Sequence, residues 1–319
     1  MADTIEDDFL EPAYVETYHQ GHLTEKIRCA LEALKSCSLC PRECEINRLI
    51  GEQGICQTGE KAVVTGCDPH FGEERPLVGK HGSGTIFFAG CNLLCLFCQN
   101  YDISHEMAGT EWSPEDLGAA MLSLQKMGCH NINFVTPTHV VPQILMGLEK
   151  AIGGGLRVPL VYNSSGYDKV ETLKLLDGVF DIYMPDFKFW DPDVAKRLCK
   201  AADYPQIARN ALREMHRQVG DLEINAQGIA VRGVLIRHLV LPNGLGGTRD
   251  IMRFLKTEIS TNSYVNIMAQ YRPCGQAMND PDIARSLRDE EYKEAVEIAA
   301  EEGISRLDDR RRAFMINWF

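Results

Sequence analysis

Six short apolar runs alternate with helical patterns through most of this chain, and that alternation restricts the fold more than any other feature. The runs are Thr85–Ala89, Asn131–Val135, Val158–Tyr162, Val179–Met184, Val231–Leu241 and Tyr264–Ala269. Helical spacing falls near Pro114–Lys126, Val140–Ile152, Lys169–Leu176, Pro192–Met215 and Arg249–Glu258. Ser113-Pro114-Glu115 supplies an N-cap, a proline for the first turn and an early acid. Strands that alternate with helices form a parallel sheet wound by right-handed crossovers, an α/β architecture. Six units are two short of an eightfold barrel. A partial (β/α)6 barrel and a flat doubly wound sheet fit this pattern about equally.

Composition excludes several classes. Apolar residues make up 45% and charged residues 24% of the 319, ordinary for a folded globular chain. With 45 Asp+Glu against 33 Lys+Arg the net charge is −12, so broad nucleic-acid binding is not expected; Arg310-Arg311-Arg312 reads as a solvated face. The longest apolar run, Ile86 to Phe97, contains Gly90 and Asn92 and is too short to span a bilayer. The start, Met1 to Asp8, is acidic where a leader would be basic, so a reducing cytoplasm is expected and the 12 cysteines should not be disulfides. No internal repeat is visible, and Gly153-Gly154-Gly155 and Gly244-Leu245-Gly246-Gly247 lack a phosphate-loop pattern and read as turns.

Seven cysteines fall into two spaced groups: Cys37, Cys40, Cys44 and Cys56, then Cys91, Cys95 and Cys98. Cys29, Cys67, Cys129, Cys199 and Cys274 are scattered and read as small buried hydrophobes. An iron–sulfur cubane takes one thiolate per iron, so the three thiolates of Cys91-Asn92-Leu93-Leu94-Cys95-Leu96-Phe97-Cys98 would leave one iron open for a substrate or cofactor. A zinc knuckle is disfavoured, because the x2 spacing has no matching partner. The four cysteines of the first group can close a metal site completely, held by Pro41, Gly51 and Gly54. A second, fully ligated iron–sulfur cluster is the expected occupant, with zinc and a metal-free role as the alternatives.

The CxxxCxxC run with Phe97 before its last cysteine resembles the cluster loop of radical S-adenosylmethionine enzymes. Its flanks, Gly82-Ser83-Gly84-Thr85-Ile86-Phe87-Phe88-Ala89-Gly90 and Gln99-Asn100-Tyr101-Asp102-Ile103-Ser104, resemble homologues of the pyruvate formate-lyase-activating enzyme. The resemblance runs from about Cys37 to Gly303 and implies the partial barrel. It also implies a [4Fe-4S] cluster on Cys91, Cys95 and Cys98 with S-adenosylmethionine on the open iron.

Ligands of such barrels gather at the carboxyl ends of the strands. There the resemblance places cofactor-binding residues. Phe97 lies in the cluster loop. Thr136 and Thr138 stand where many relatives carry a GGE stretch, and His139 beside them reads as a hydrogen-bonded helix-start histidine. Asn163, Ser164, Met184, Asp186 and Lys188 match DTNG and MxDxK stretches associated with the cofactor and a monovalent cation, although Asn163 replaces a carboxylate. Asp186 and Lys188 fit a rim ion pair equally well. Arg237 suits the cofactor carboxylate or a rim salt bridge. Gln270 or Tyr271 takes the place of a cofactor-contacting histidine.

The activity implied is reductive cleavage of S-adenosylmethionine and hydrogen-atom abstraction, with activation of a glycyl-radical enzyme as one outcome. A reduced flavodoxin- or ferredoxin-like protein would donate the electron, and the substrate would be a protein or a small molecule. From another class, a non-catalytic iron–sulfur electron carrier would use both cysteine groups. The expected organisation is a helical extension over 1–35, a cysteine-rich module and connector over 36–83, the barrel over 84–273, and a C-terminal helix and tail over 274–319. Leu23 to Leu34 and Glu290 to Glu301 carry helical spacing, and the apolar end from Ala313 to Phe319 is expected to pack back on the body.

Overall fold

A computed structural model describes residues 11–308. Two helices lead in, α1 (Ala13–His19) and α2 (His22–Glu32), followed by the cysteine-bearing loop and strand β1 (Ala62–His70). Then come α3 (Arg75–Val78), β2 (Ser83–Phe88), α4 (Tyr101–Glu106), β3 (Thr110–Trp112), α5 (Pro114–Lys126), β4 (Ile132–Val135), α6 (Val141–Gly153), β5 (Leu160–Ser164), α7 (Val170–Leu175) and β6 (Ile182–Pro185). The chain continues through α8 (Pro192–Cys199), α9 (Tyr204–Val219), β7 (Glu223–Ile224), β8 (Ala230–Leu239), α10 (Thr248–Phe254), β9 (Tyr264–Met268), α11 (Asp289–Glu301) and β10 (Arg306–Leu307).

The sheet runs β10-β9-β8-β6-β5-β4-β2-β1-β3, so it is open, with edges at β10 and β3. From β2 to β9 every neighbouring pair is parallel; β1 adds antiparallel to β2, and β3 to β1. All six expected strands are present, and the partial barrel is the architecture found. Residues 62–70, read from sequence as module and connector, are instead a strand of this same sheet.

Two-residue periodicity divides the strands. Phe134, Tyr162 and Tyr183 face the surrounding helices, while Val161, Ile182, Met184 and Leu235 face inward, closed below by Leu77 of α3. Inward residues nearer the carboxyl ends turn polar, as at Asn163 and Arg237, and there the site begins.

Helix ends follow local chemistry. Ser113 Oγ accepts from the Asp116 amide at 3.1 Å, and the Asp116 carboxylate accepts from the Ser113 amide at 2.9 Å, a reciprocal cap that starts α5 at Pro114. The helix expected over Pro192–Met215 is two helices. Lys200 is left-handed at φ 55°, and Pro205 cannot continue a helix from its amino-terminal side, so the chain turns between Cys199 and Tyr204. The break frees carbonyls that hold the cysteine loops. Helix α1 is fixed to the barrel by Tyr14 Oη donating to the Val158 carbonyl at 2.9 Å and Thr17 Oγ1 to that of Gly178 at 2.6 Å. The acidic start, the arginine run at 310–312 and the apolar end lie outside the described residues. Among those described, no helix is long and apolar enough to cross a membrane.

Candidate functional site

Strand β2 ends at Phe88, and two residues on comes Gly90, whose φ of 82° few other residues adopt and whose missing side chain leaves room for the Cys56 carbonyl. The loop that follows is held by two bonds from outside and one within it. Leu96 N donates to the Leu198 carbonyl at 2.9 Å, the Leu96 carbonyl accepts from Gln276 N at 2.7 Å, and Leu93 N donates to Cys91 Sγ at 3.4 Å. Phe97 is buried edge-on against Phe189 and Tyr271 at 6.0 and 5.8 Å. This arrangement turns Cys91, Cys95 and Cys98 toward one cavity of about 420 Å³ at the carboxyl ends of the strands.

Desolvation, reinforced by Cys95, pushes the Cys91 thiol up to about 12, and desolvation also raises Cys98. Cys95 is raised by its contact with the Cys199 thiol and by burial. Metal binding requires these thiols as thiolates, so a cation that shared their charge would have to offset the burial that raises them. Among the described residues no three His, Cys, Asp or Glu side chains gather about one point as a single-ion site. A cubane spreads its thiolates over separate iron corners, so the three cysteines around one cavity fit that larger group.

The facing wall carries most of the expected residues. Thr136, Asn163, Ser164, Asp186, Lys188, Arg237 and Gln270 all line the cavity with Phe97. Arg237 Nε donates to Asp186 Oδ1 at 2.7 Å and Nη2 to Asn163 Oδ1 at 2.7 Å, while Lys188 Nζ pairs with Asp186 Oδ2. Burial works against the Asp186 charge, but Arg237 and Lys188 outweigh it and hold the carboxyl below its usual range. Asp186 and Lys188 thus form the rim ion pair, and Arg237 joins it. Thr136 is left-handed at φ 61°, a strained conformation for a β-branched residue at a ligand cavity.

Thr138, expected here, lies elsewhere: its hydroxyl donates to Asp168 Oδ1 at 2.7 Å, because the chain turns away after Thr136. Met184 is buried in the barrel interior and Tyr271 donates to the Ile283 carbonyl at 2.7 Å, so neither lines the cavity. Sequence reasoning missed His70 and Glu73, which line it from the β1 side; Glu73 lies 3.7 Å from Arg237 Nη1. It also missed Ser104, whose hydroxyl reaches Cys98 Sγ at 3.1 Å, and Cys199 beside Cys95.

Cys37, Cys40, Cys44 and Cys56 line a second, small cavity with Arg42, Arg48, Asn92 and His139. Burial, with Cys56 and Cys37 nearby, pushes the Cys40 thiol up to about 12. A side chain on Gly54 would place its first carbon 2.7 Å from Cys44 Sγ, so glycine there permits the convergence. Arg48, 1% exposed, donates to the carbonyls of His139 and Gly59 at 2.8 Å each and fixes the module to the barrel. His139 Nε2 bonds the Ala89 carbonyl at 2.8 Å, the hydrogen bond expected of it, and burial lowers its pKa to about 4. Among the described residues Nδ1 of His139 and Oδ1 of Asn92 have no hydrogen-bond partner. Asn92 lines this cavity and Cys91 lines the first, so the two sites share a wall.

Residues 85–220 match the family model described as Radical SAM superfamily. The chain is 35% identical over 312 residues to an uncharacterized protein of Methanocaldococcus jannaschii, MJ0674, covering 95% of this chain and 84% of that one. A second uncharacterized protein of that organism, MJ0808, is 28% identical over 190 residues, 54% of each chain. Among solved structures HydG, a maturase of the [FeFe]-hydrogenase, is similar with a TM-score of 0.49 and 11% identity, over 70% of this chain and 50% of that one. With a matching family model, an open parallel barrel and three cysteines on one cavity at its carboxyl end, this chain belongs to the radical SAM superfamily.

Proposed function

We propose that this protein is a radical enzyme whose Cys91, Cys95 and Cys98 hold a [4Fe-4S] cluster beside S-adenosylmethionine. When bound, these groups supply one-electron cleavage of the sulfonium bond and a 5′-deoxyadenosyl radical that removes a hydrogen atom from the substrate. The observation that carries the reading is the convergence of the three cysteines on the cavity whose other wall holds Asn163, Ser164, Asp186, Lys188 and Arg237.

The chain's own residues bind, orient and exclude water. Arg237 and Lys188 offer buried donors to the cofactor carboxylate, with Asp186 as the counter-charge that keeps them in place. Thr136, Ser164 and Gln270 offer hydrogen-bonding groups to its amino group and ribose. Phe97 shields the cluster side.

The four-cysteine site is read as a second, closed iron–sulfur cluster, supported by the four cysteines lining one small cavity. A reduced flavodoxin- or ferredoxin-like protein is the proposed electron donor. Twelve unpaired cysteines suit a reducing cytoplasm. The resemblance to glycyl-radical activators gives one substrate class, a backbone glycine of a partner enzyme; a small molecule is the other.

Anaerobic reduction of the reconstituted protein with S-adenosylmethionine should yield 5′-deoxyadenosine. A spectroscopically confirmed cluster that yields none would defeat the reading. Deuterium transfer into 5′-deoxyadenosine from a labelled glycyl-radical enzyme or labelled small molecules separates the substrate classes.

A further inference from the structure

Two side chains from outside the CxxxCxxC motif touch its sulfurs, the Cys199 thiol at Cys95 and the Ser104 hydroxyl at Cys98. Ser104, on the first turns after the cluster loop, is 7% exposed, and its Oγ lies 3.1 Å from Cys98 Sγ. The same oxygen lies 2.7 Å from His105 Nδ1. The His105 ring is fixed in turn: it stacks on Tyr101 at 4.0 Å and 9°, and Tyr101 Oη accepts from Gln276 Nε2 at 2.8 Å.

A hydroxyl has one proton to give, so Ser104 serves either the sulfur or the imidazole. Iron binding requires Cys98 as thiolate, and an O–H donated to an anionic sulfur is stronger than one donated to a neutral nitrogen. With the proton committed to sulfur, Ser104 Oγ has free lone pairs toward His105, which must then present an N–H at Nδ1.

We propose that Ser104 is a positioning residue for the cluster: its hydroxyl donates to the Cys98 sulfur, His105 Nδ1–H donates to the Ser104 oxygen, and the pair raises the cluster's reduction potential. The inference rests on the reading that Cys91, Cys95 and Cys98 hold a cluster. Hydrogen bonds to cluster sulfurs stabilise the more negative, reduced state and are among the factors that set the potential. A radical enzyme needs that state to be reachable by its donor, and the hydroxyl supplies polarity in a loop otherwise lined by Leu93, Leu96 and Phe97.

The test is an anaerobic potentiometric titration of the reconstituted full chain, following the electron paramagnetic resonance signal of the reduced cluster. S104A should keep its iron but lower the ratio of reduced to oxidised cluster at fixed potential by roughly tenfold, a negative shift of about 59 mV for a one-electron couple. S104T should restore the wild-type midpoint, and H105F, which retains a stacking ring without Nδ1, should shift in the same direction as S104A. A loaded S104A with the wild-type midpoint would overturn the proposal. Should S104A fail to load, an unshifted midpoint in H105F overturns it instead. Wild-type protein that assembles no four-iron cluster would count against the functional reading, a different failure.

Discussion

Arg42 Nε donates to the main-chain carbonyl of Asn92 at 2.8 Å, so a residue within one cysteine group holds the backbone of the other. The same guanidinium reaches the carbonyls of Leu93 and Cys199 at 3.2 Å and of Lys200 at 2.7 Å, and lies over the Tyr167 ring. A fork of this kind cannot be copied by an ammonium. R42K is expected to lose about 2 kcal/mol of stability, given charged hydrogen bonds of about 1.5–3 kcal/mol each and partial exposure. Urea unfolding of reconstituted protein measures it, and an unchanged midpoint would contradict the clamp.

Replacing Cys91, Cys95 or Cys98 by serine should remove about four irons per chain, the content of one cubane. C29S, C67S and C129S should leave iron unchanged. Iron analysis with absorption spectra decides.

The proposed second cluster can be tested without replacing any of its four cysteines. In G54A the added carbon would crowd Cys44 Sγ, so the four-cysteine site should lose metal while the cluster at Cys91, Cys95 and Cys98 survives. Equal loss from both sites would mean that they assemble as one unit.

The rim charges depend on one another. D186N leaves Lys188 without its carboxylate and Arg237 with the more distant Glu73 at 3.7 Å, and losing one partner of a buried pair costs about 3–5 kcal/mol. Removing the second charge in D186N/R237Q should recover part of that loss. A denaturation cycle over the two positions reports the coupling, and simple additivity would argue against it.

Asp181 gives stability a pH dependence. Burial pushes its carboxyl up to about 6, although it accepts from the Ala13 amide at 2.8 Å and the Leu160 amide at 3.0 Å. A pKa above the unfolded value means that the folded state binds the extra proton, so the contribution of Asp181 to stability is greatest below about 4 and is lost as pH rises through about 6. The urea midpoint of wild type should decline from pH 5 to pH 7 relative to that of D181N. Parallel profiles would rule this contribution out.

Strand periodicity made the six parallel strands legible, because each run from Thr85 to Ala269 carried its own apolar pattern; that pattern fits a flat sheet as well, and the choice of barrel came from the family resemblance. Strand β1 was hidden, since Gly66, Asp68 and Pro69 read as turn signals and its pairing with β2 is a tertiary fact. The motif cysteines were legible from spacing alone. Ser104 and Cys199 were not: they reach Cys98 and Cys95 because α4 doubles back after the cluster loop and α8 stops at Lys200. Thr138 misled for a related reason, as its neighbour Thr136 turns the chain so that only one of the two hydroxyls reaches the cavity.

Helix α1 is made well before its partners: the groups that receive Ala13, Tyr14 and Thr17 lie 168, 144 and 161 positions later. At about 5–20 residues per second, its apolar face waits roughly 10–30 s for a surface to cover it. Synthesis therefore includes an interval in which Tyr14 and Val15 lack their final neighbours, and helix α1 is fixed only once Asp181 has been made.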